Sequence, residues 1–428
     1  MTTATADRPD GPRGQEPQTE VAARTARHWR RHLSNGRVAL AEMMGGDTEV
    51  AADGAWVRTS GGRSLLNCGG YGVLITGARH PKVVAEVRRV LDTNPVATRL
   101  LLEPEVGRAA AELVSVAPAG LEKVHFASSG AEAVEAALKM ARTHGKRHLI
   151  SMERGYHGKT FGALSVTARG VFQDPFRPLL PQVSHVPFGD VERLADALAR
   201  HRGESCVIVE PVQGEGGVIV PPDGYLRAVR QLCDAYEAFF VLDEVQTGLG
   251  RLGHWWGADR EGVTPDVLLV GKGLSGGVVP VSAALATPAA FAAFDKDPFL
   301  HTSTFSGSPL AAAAAGAAVR AIREDGLVAR SRHLGDVLRP ELDRIARAVL
   351  GSRVREVRGL GLLIGIEFTV PGLAADLLVE LMDAGVIANH SLNTSRVLRL
   401  TPPAVLTDHE VTVLLTAFER AAHAVLTG

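Results

Sequence analysis

Four short apolar runs, each closed by a chemically loaded polar residue, constrain this chain more than any other feature. They are Val124 to Ala127, Cys206 to Val209, Phe239 to Leu242 and Val267 to Val270. Each is too short for a helix and, apart from His125 in the first, apolar, the pattern of a strand buried on both faces. Helical stretches such as Glu132 to Thr143 and Leu226 to Tyr236 separate some of them, so the region from about His80 to Arg323 reads as a parallel α/β sheet covered on both sides. Ligands of such sheets bind beyond the carboxyl ends of the strands.

The ends carry chemistry. The first run leads into Ser128-Ser129-Gly130-Ala131 and then at once a helix, where free N–H groups and the positive end of the helix dipole suit a phosphate. The same dipeptide start also serves as an ordinary N-cap. The second run ends in Glu210-Pro211 and the third in Asp243-Glu244. A carboxylate beside a buried strand is costly unless it has a partner. The fourth ends in Gly271-Lys272-Gly273. Of 46 basic residues only seven are lysines. A lysine kept here points to amine chemistry: once desolvated it can lose its proton and attack a carbonyl, which arginine cannot do. A phosphate cradle, a buried acid and a nucleophilic lysine at neighbouring strand ends are the parts of a pyridoxal 5'-phosphate (PLP) site.

Outside this region, Val21 to Leu33 is Arg-rich with helical spacing, and Met1 to Glu20 reads as a disordered tail. Ala55 to Thr59 and Arg63 to Cys68 flank a Ser60-Gly61-Gly62 turn, a hairpin signal. Towards the C-terminus, Gly359 to Phe368 and Val397 to Leu400 read as strands. Ala374 to Ala384 and the segment from Asp408 onward read as helices. The division predicted is a tail (1–20), an N-terminal segment (21–75), a large cofactor-binding domain (76–324) and a smaller α+β domain (325–428) that the N-terminal hairpin joins.

With a formal charge of −1, nothing suggests nucleic acid or an anionic membrane as partner. The Ala311 to Val319 stretch is too short to span a bilayer, and the N-terminus lacks the apolar core of a secretory signal. A cytoplasmic enzyme acting on small molecules is the expectation. Cys68, Cys206 and Cys233 give neither a disulfide framework nor a zinc spacing, so no metal site is expected.

Asp243-Glu244-Val245-Gln246-Thr247-Gly248, with Lys272 following 29 positions after Asp243, resembles the signature of the class III, or ω-, aminotransferases. The likeness runs from about Gly54 to the C-terminus. It implies the PLP-dependent fold type I: a large domain with a mostly parallel seven-stranded sheet, and a smaller α+β domain from both chain ends. Lys272 is then the covalent attachment point of PLP, and Asp243 the partner of its pyridine nitrogen. Val245 and Tyr156 pack on the two ring faces, and Gln246 contacts the ring hydroxyl. Ser129, Gly130 and Ala131 hold the phosphate. Ser303 and Thr304 reach the phosphate of a neighbouring subunit, which implies a homodimer with shared sites. Glu210 matches a cofactor-site glutamate. Glu215 and Arg399 match a pair that opens for a substrate carboxylate.

The sequence departs from the family pattern at Ser128, where Asn is usual, at Ala131, often Thr, and at Ser308, usually Asn. Lys159 stands where ornithine-type members carry an arginine that clamps an α-carboxylate. A point charge lacks the bidentate fork. The segments around Tyr156 to Ser165 and His185 to Gly189 look most like putrescine aminotransferases. The resemblance therefore favours transfer between a terminal primary amine, or its aldehyde, and a pair such as 2-oxoglutarate and glutamate. Tyr71 and the run Leu100-Leu101-Leu102 are expected near the pocket, where the leucines would suit an aliphatic chain. A PLP-dependent isomerase, a racemase or aminomutase, is the alternative on the same fold. A non-catalytic PLP-fold module should have lost Lys272 or Asp243, and no G-x-G-x-x-G follows a strand to suggest a dehydrogenase.

Overall fold

The computed structural model describes residues 18–427. The predicted tail lies outside these residues except for its last three, which form the first turn of the helix Gln18–His32. The N-terminal part then builds an antiparallel meander of β1 (Glu49–Asp53), β2 (Trp56–Thr59) and β3 (Ser64–Asn67). The hairpin read from the sequence is β2–β3.

Seven strands form the central sheet: β4 (Lys123–Ala127), β5 (His148–Met152), β6 (Val183–Val186), β7 (Ser205–Val209), β8 (Phe239–Asp243), β9 (Val267–Val270) and β10 (Ser282–Ala286). Their spatial order is β4-β10-β9-β8-β7-β5-β6. Only β10 runs antiparallel to its neighbours, β4 and β9. Strands β7 and β8 sit in the middle, and every residue of both is buried. That explains why they appear in the sequence as continuous apolar runs. Because β4, β5, β7, β8 and β9 point the same way, their C-terminal ends deliver side chains to one edge of the sheet.

The last third carries β11 (Val354–Leu360), β12 (Leu363–Phe368), β13 (Val386–Ile387), β14 (Asn389–His390) and β15 (Val397–Leu400). The stretch read as one strand, Gly359 to Phe368, is in fact the end of β11, the turn and the whole of β12. Gly361 makes the turn at φ +50, and an added Cβ there would sit 2.5 Å from the Leu252 carbonyl carbon. A side chain fits neither that backbone nor that space. β13 pairs in parallel with β3, so the two ends of the chain share a sheet, as the sequence suggested. β15 pairs with β12, placing Arg399 opposite Gly365.

Candidate active site

At the C-terminal edge of the central sheet lies a cavity of about 250 Å³ lined by ten of the residues singled out in the sequence. They are Gly130, Ala131, Tyr156, Lys159, Glu210, Glu215, Asp243, Val245, Gln246 and Lys272. His157 and Gly158 complete the lining.

Lys272 leaves β9 with φ +42, an unusual backbone for a residue with a side chain. Such strain persists where surrounding structure fixes it, often at functional sites. Burial pushes the Lys272 ammonium below its ordinary pKa, and the Arg399 charge adds to that. The carboxylates of Glu215, Asp243 and Glu210 act in the opposite sense. Desolvation wins, which favours the neutral amine a nucleophile needs.

Asp243, at the end of β8, accepts a 2.7 Å hydrogen bond from Nδ1 of His157, with both side chains almost wholly buried. Its other oxygen accepts from the Val245 N–H at 3.1 Å. His157 is held in turn by Thr167, whose hydroxyl accepts from the His157 N–H (2.8 Å) and donates to the Gly158 carbonyl (3.0 Å). The sequence reading did not single out His157. It lies 86 residues from Asp243, and the available signal was its place beside Tyr156 in Gly155-Tyr156-His157-Gly158.

Glu210 accepts from the N–H groups of Tyr156 and Gly214, both at 3.1 Å, tying two loops at the cavity wall. Burial raises its pKa to about 7, although the neighbouring His157 works against this. Burial likewise raises the Tyr156 phenol. Gly214 is required by packing. A Cβ there would stand 1.4 Å from Oε1 of Gln246. An added Cβ at Gly130 would come 2.9 Å from Val245.

Residues Ser128 to Glu132 form the start of the helix Gly130–Thr143. Ser129 closes a capping box: its hydroxyl accepts from the Glu132 N–H, and the Glu132 carboxylate accepts from the N–H groups of Ser128 (2.7 Å) and Ser129 (3.1 Å). Ser129 is therefore occupied in capping, and it is the Gly130 and Ala131 segment that faces the cavity. Ser308 has a similar task, capping the helix Pro309–Glu324.

Glu215 and Arg399 form a buried ion pair, Oε1 to Nη1 at 2.6 Å. The second Glu215 oxygen accepts from the Leu392 N–H at 2.7 Å. Nε and Nη2 of Arg399 are buried without an acceptor. Arg399 lies behind Glu215 and does not itself line the cavity.

Three predicted elements lie elsewhere. Tyr71 is half exposed on the turn Gly70–Gly72, next to the cavity through Gly72, where a Cβ would reach 3.9 Å from Cδ of Lys272. Ser303 lines a separate, more open cavity of about 850 Å³, together with Leu101 and Leu102. Thr304 follows Ser303 on the same exposed segment. Within one chain, the leucines expected at the pocket do not line it. They belong to the segment ahead of the helix Pro104–Val114, against the Ser303 loop.

A profile of the family "Aminotransferase class-III" matches residues 48–422. The chain is a class-III aminotransferase. Solved structures agree across nearly its whole length. An ornithine aminotransferase from Toxoplasma gondii, with partial occupancy of PLP at its active site, is 31% identical over 89% of this chain and 91% of its own (TM-score 0.82). An acetylornithine aminotransferase from Elizabethkingia anophelis is 27% identical over 94% and 98% (TM-score 0.81). An amine transaminase from an uncultivated Pseudomonas species, in its PLP-bound form, is 27% identical over 88% and 95% (TM-score 0.82). The fold is that of the type I PLP-dependent enzymes, and the activity is PLP-dependent transamination between small-molecule amines and keto acids. The aminotransferase keeps the features PLP requires: a desolvated amine at Lys272, a helix start with a glycine at its first position, and an unpartnered buried Nε2 on Gln246. Among the described residues no helix is long and apolar enough to cross a membrane.

Proposed function

We propose that this aminotransferase moves an amino group between a terminal primary amine, or its aldehyde, and a dicarboxylic pair such as 2-oxoglutarate and glutamate. The observation that carries the reading is the closed Glu215–Arg399 pair beside Lys272. With the pair closed, the pocket presents no free guanidinium and accepts a substrate end without a carboxylate. With it opened, Nη1 is released beside the already unpartnered Nε and Nη2, and the guanidinium offers the planar fork that a carboxylate fits. Lys159, a point charge at the mouth, supports an amine over an α-amino acid as the distinctive substrate.

In this reading Lys272 holds PLP covalently. Once displaced by the substrate amine, its Nζ would be the base that takes and returns the proton at the reacting carbon. PLP supplies the electron sink that stabilises the charge left on that carbon. Asp243, held by the bond from His157, would pair with the ring nitrogen. Val245 and Tyr156 would hold the two faces of the ring, Gln246 would donate to its hydroxyl from the unpartnered Nε2, and Glu210 fixes the loop that carries Tyr156. The N–H groups of Gly130 and Ala131 would take the phosphate, with the Ser129 cap setting the helix start that presents them.

A homodimer fits the same picture. The Leu101, Leu102 and Ser303 segments share one rim, and Leu100, Phe299 and Phe305 beside it are strongly exposed. Apolar surface of that kind calls for a partner, and a second copy would bring Ser303 and Thr304 to the phosphate.

The test is a panel of amine donors in half-reactions, followed by the change in cofactor absorbance. Terminal primary amines should react with the highest kcat/KM, and 2-oxoglutarate should reverse the change. Reaction with α-amino acids alone would refute the amine assignment.

A further inference from the structure

The cavity has two lysines in its lining, Lys159 and Lys272, against three acidic residues, Glu210, Glu215 and Asp243. Lys272 serves the chemistry. Lys159 is therefore the one lysine at the wall free to meet a substrate anion. Its Nζ sits 4.0 Å from the ring centroid of Phe172. Phe172 does not line the cavity, so in this conformation the ammonium is turned onto an aromatic face. That contact is attractive because the ring face is negative, and it is weak enough to be exchanged.

We propose that Phe172 is a specificity-determining residue. It parks the Lys159 ammonium when the substrate end is uncharged and releases it to a substrate carboxylate. The inference rests on the transamination reading above and extends it to a second cation. Arg399 rests on Glu215, and Lys159 rests on Phe172. With both cations parked the pocket suits an amine with an uncharged remainder; with both released it suits the two carboxylates of a dicarboxylic partner.

The perch is fixed. Phe172 lies on the helical turn Gly170–Gln173, which Gln173 anchors by donating to the carbonyls of Leu164 (3.0 Å) and Ser165 (3.3 Å). The two resting partners are also joined through one residue. Arg169, at the start of that turn, donates to the Asn393 carbonyl at 2.7 Å, and the Asn393 N–H donates to the Glu215 carbonyl at 2.9 Å. The Phe172 turn and the Glu215 loop are thus tied together. The moving part is the long Lys159 side chain, which is exposed.

The experiment measures glutarate, a non-reacting dicarboxylate, binding to the PLP-loaded enzyme by calorimetry. It also measures the ratio of kcat/KM for 2-oxoglutarate to that for an amine. In Phe172→Leu the perch is gone, so glutarate should bind about two- to five-fold more tightly and the ratio should rise by a similar factor. Phe172→Tyr retains a ring and should behave as the wild type. In a Lys159→Met background, Phe172→Leu should alter neither quantity, because no ammonium remains to be released. Weaker or unchanged glutarate binding in Phe172→Leu would overturn the proposal. So would an effect that persists without Lys159, which would mark Phe172 as merely structural. Failure of the transamination reading looks different: wild-type enzyme would show no cofactor absorbance exchange with any amine, whatever glutarate does.

Discussion

Replacing Glu215 by glutamine tests the paired-charge pocket directly. The native pair is buried, with 2.6 Å between Oε1 and Nη1 and a further 2.7 Å bond from Leu392 N–H. Removing the negative partner leaves the buried Arg399 guanidinium without its counter-charge, and deleting one half of a buried pair costs on the order of 3–5 kcal/mol. Because the amide can still accept from Leu392, the lower end applies. The variant should therefore melt earlier than the wild type. The same change removes the internal competitor of a substrate carboxylate. Glutarate should then bind more tightly by about 1–3 kcal/mol, or roughly 5- to 150-fold. Excess glutarate should restore much of the lost thermal stability, since a ligand that binds only the folded state stabilises it by mass action. The amine half-reaction should slow, because an uncompensated cation now faces the pocket. Calorimetric titration and thermal unfolding of the PLP-loaded variant, with and without glutarate, report these quantities. Equal or weaker glutarate affinity, with unchanged melting, would refute the idea that Glu215 guards Arg399.

Other residues give independent checks. His157→Gln removes a charge-assisted bond to buried Asp243 worth about 1.5–3 kcal/mol, so the half-reaction rate should fall about ten- to a hundredfold while PLP stays covalently attached; stopped-flow absorbance decides. Gly214→Ala drives a methyl into Gln246, and overpacking of about 1–3 kcal/mol should weaken PLP retention about five- to a hundredfold, read by dialysis against the free cofactor. Glu244 is buried, accepts from Thr247 (2.6 Å) and Ala258 (2.9 Å), and burial raises its pKa from 4.5 to about 7. Its folded pKa lies above its unfolded one, so the folded chain binds more protons between these values. Stability should fall as pH rises from about 4.5 to 7, by roughly 3 kcal/mol at most. Glu244→Gln should remove that slope in urea melts taken at several pH values, and an unchanged slope would assign the effect to other groups.

The buried strands were readable because sheets covered on both faces leave uniform apolar runs. The strands missed in the sequence fail that rule. β5 (His148–Met152) and β6 (Val183–Val186) carry His and Ser, and β10 (Ser282–Ala286) is alanine-rich and carries no β-branched residue. Its antiparallel placement follows from pairing with β4 and β9, which no local signal encodes. At the site, Lys272, Asp243 and Glu210 stood out because charge at the end of an apolar run needs a reason. The bond from His157 to Asp243 joins residues from two different strand ends, and only the sheet order brings them together. The Phe172 perch for Lys159 was equally hidden, since thirteen positions of chain separate the two and the contact depends on a helical turn between Arg169 and Asp174.

The central claim is that Lys272 is the amine that binds PLP covalently. Borohydride reduction of the PLP-loaded enzyme, followed by proteolysis and mass spectrometry, locates that amine. The account predicts a pyridoxyl group on the peptide containing Lys272, and its absence from Lys272→Ala together with loss of turnover. A label on another lysine, or substantial turnover by Lys272→Ala, would contradict it.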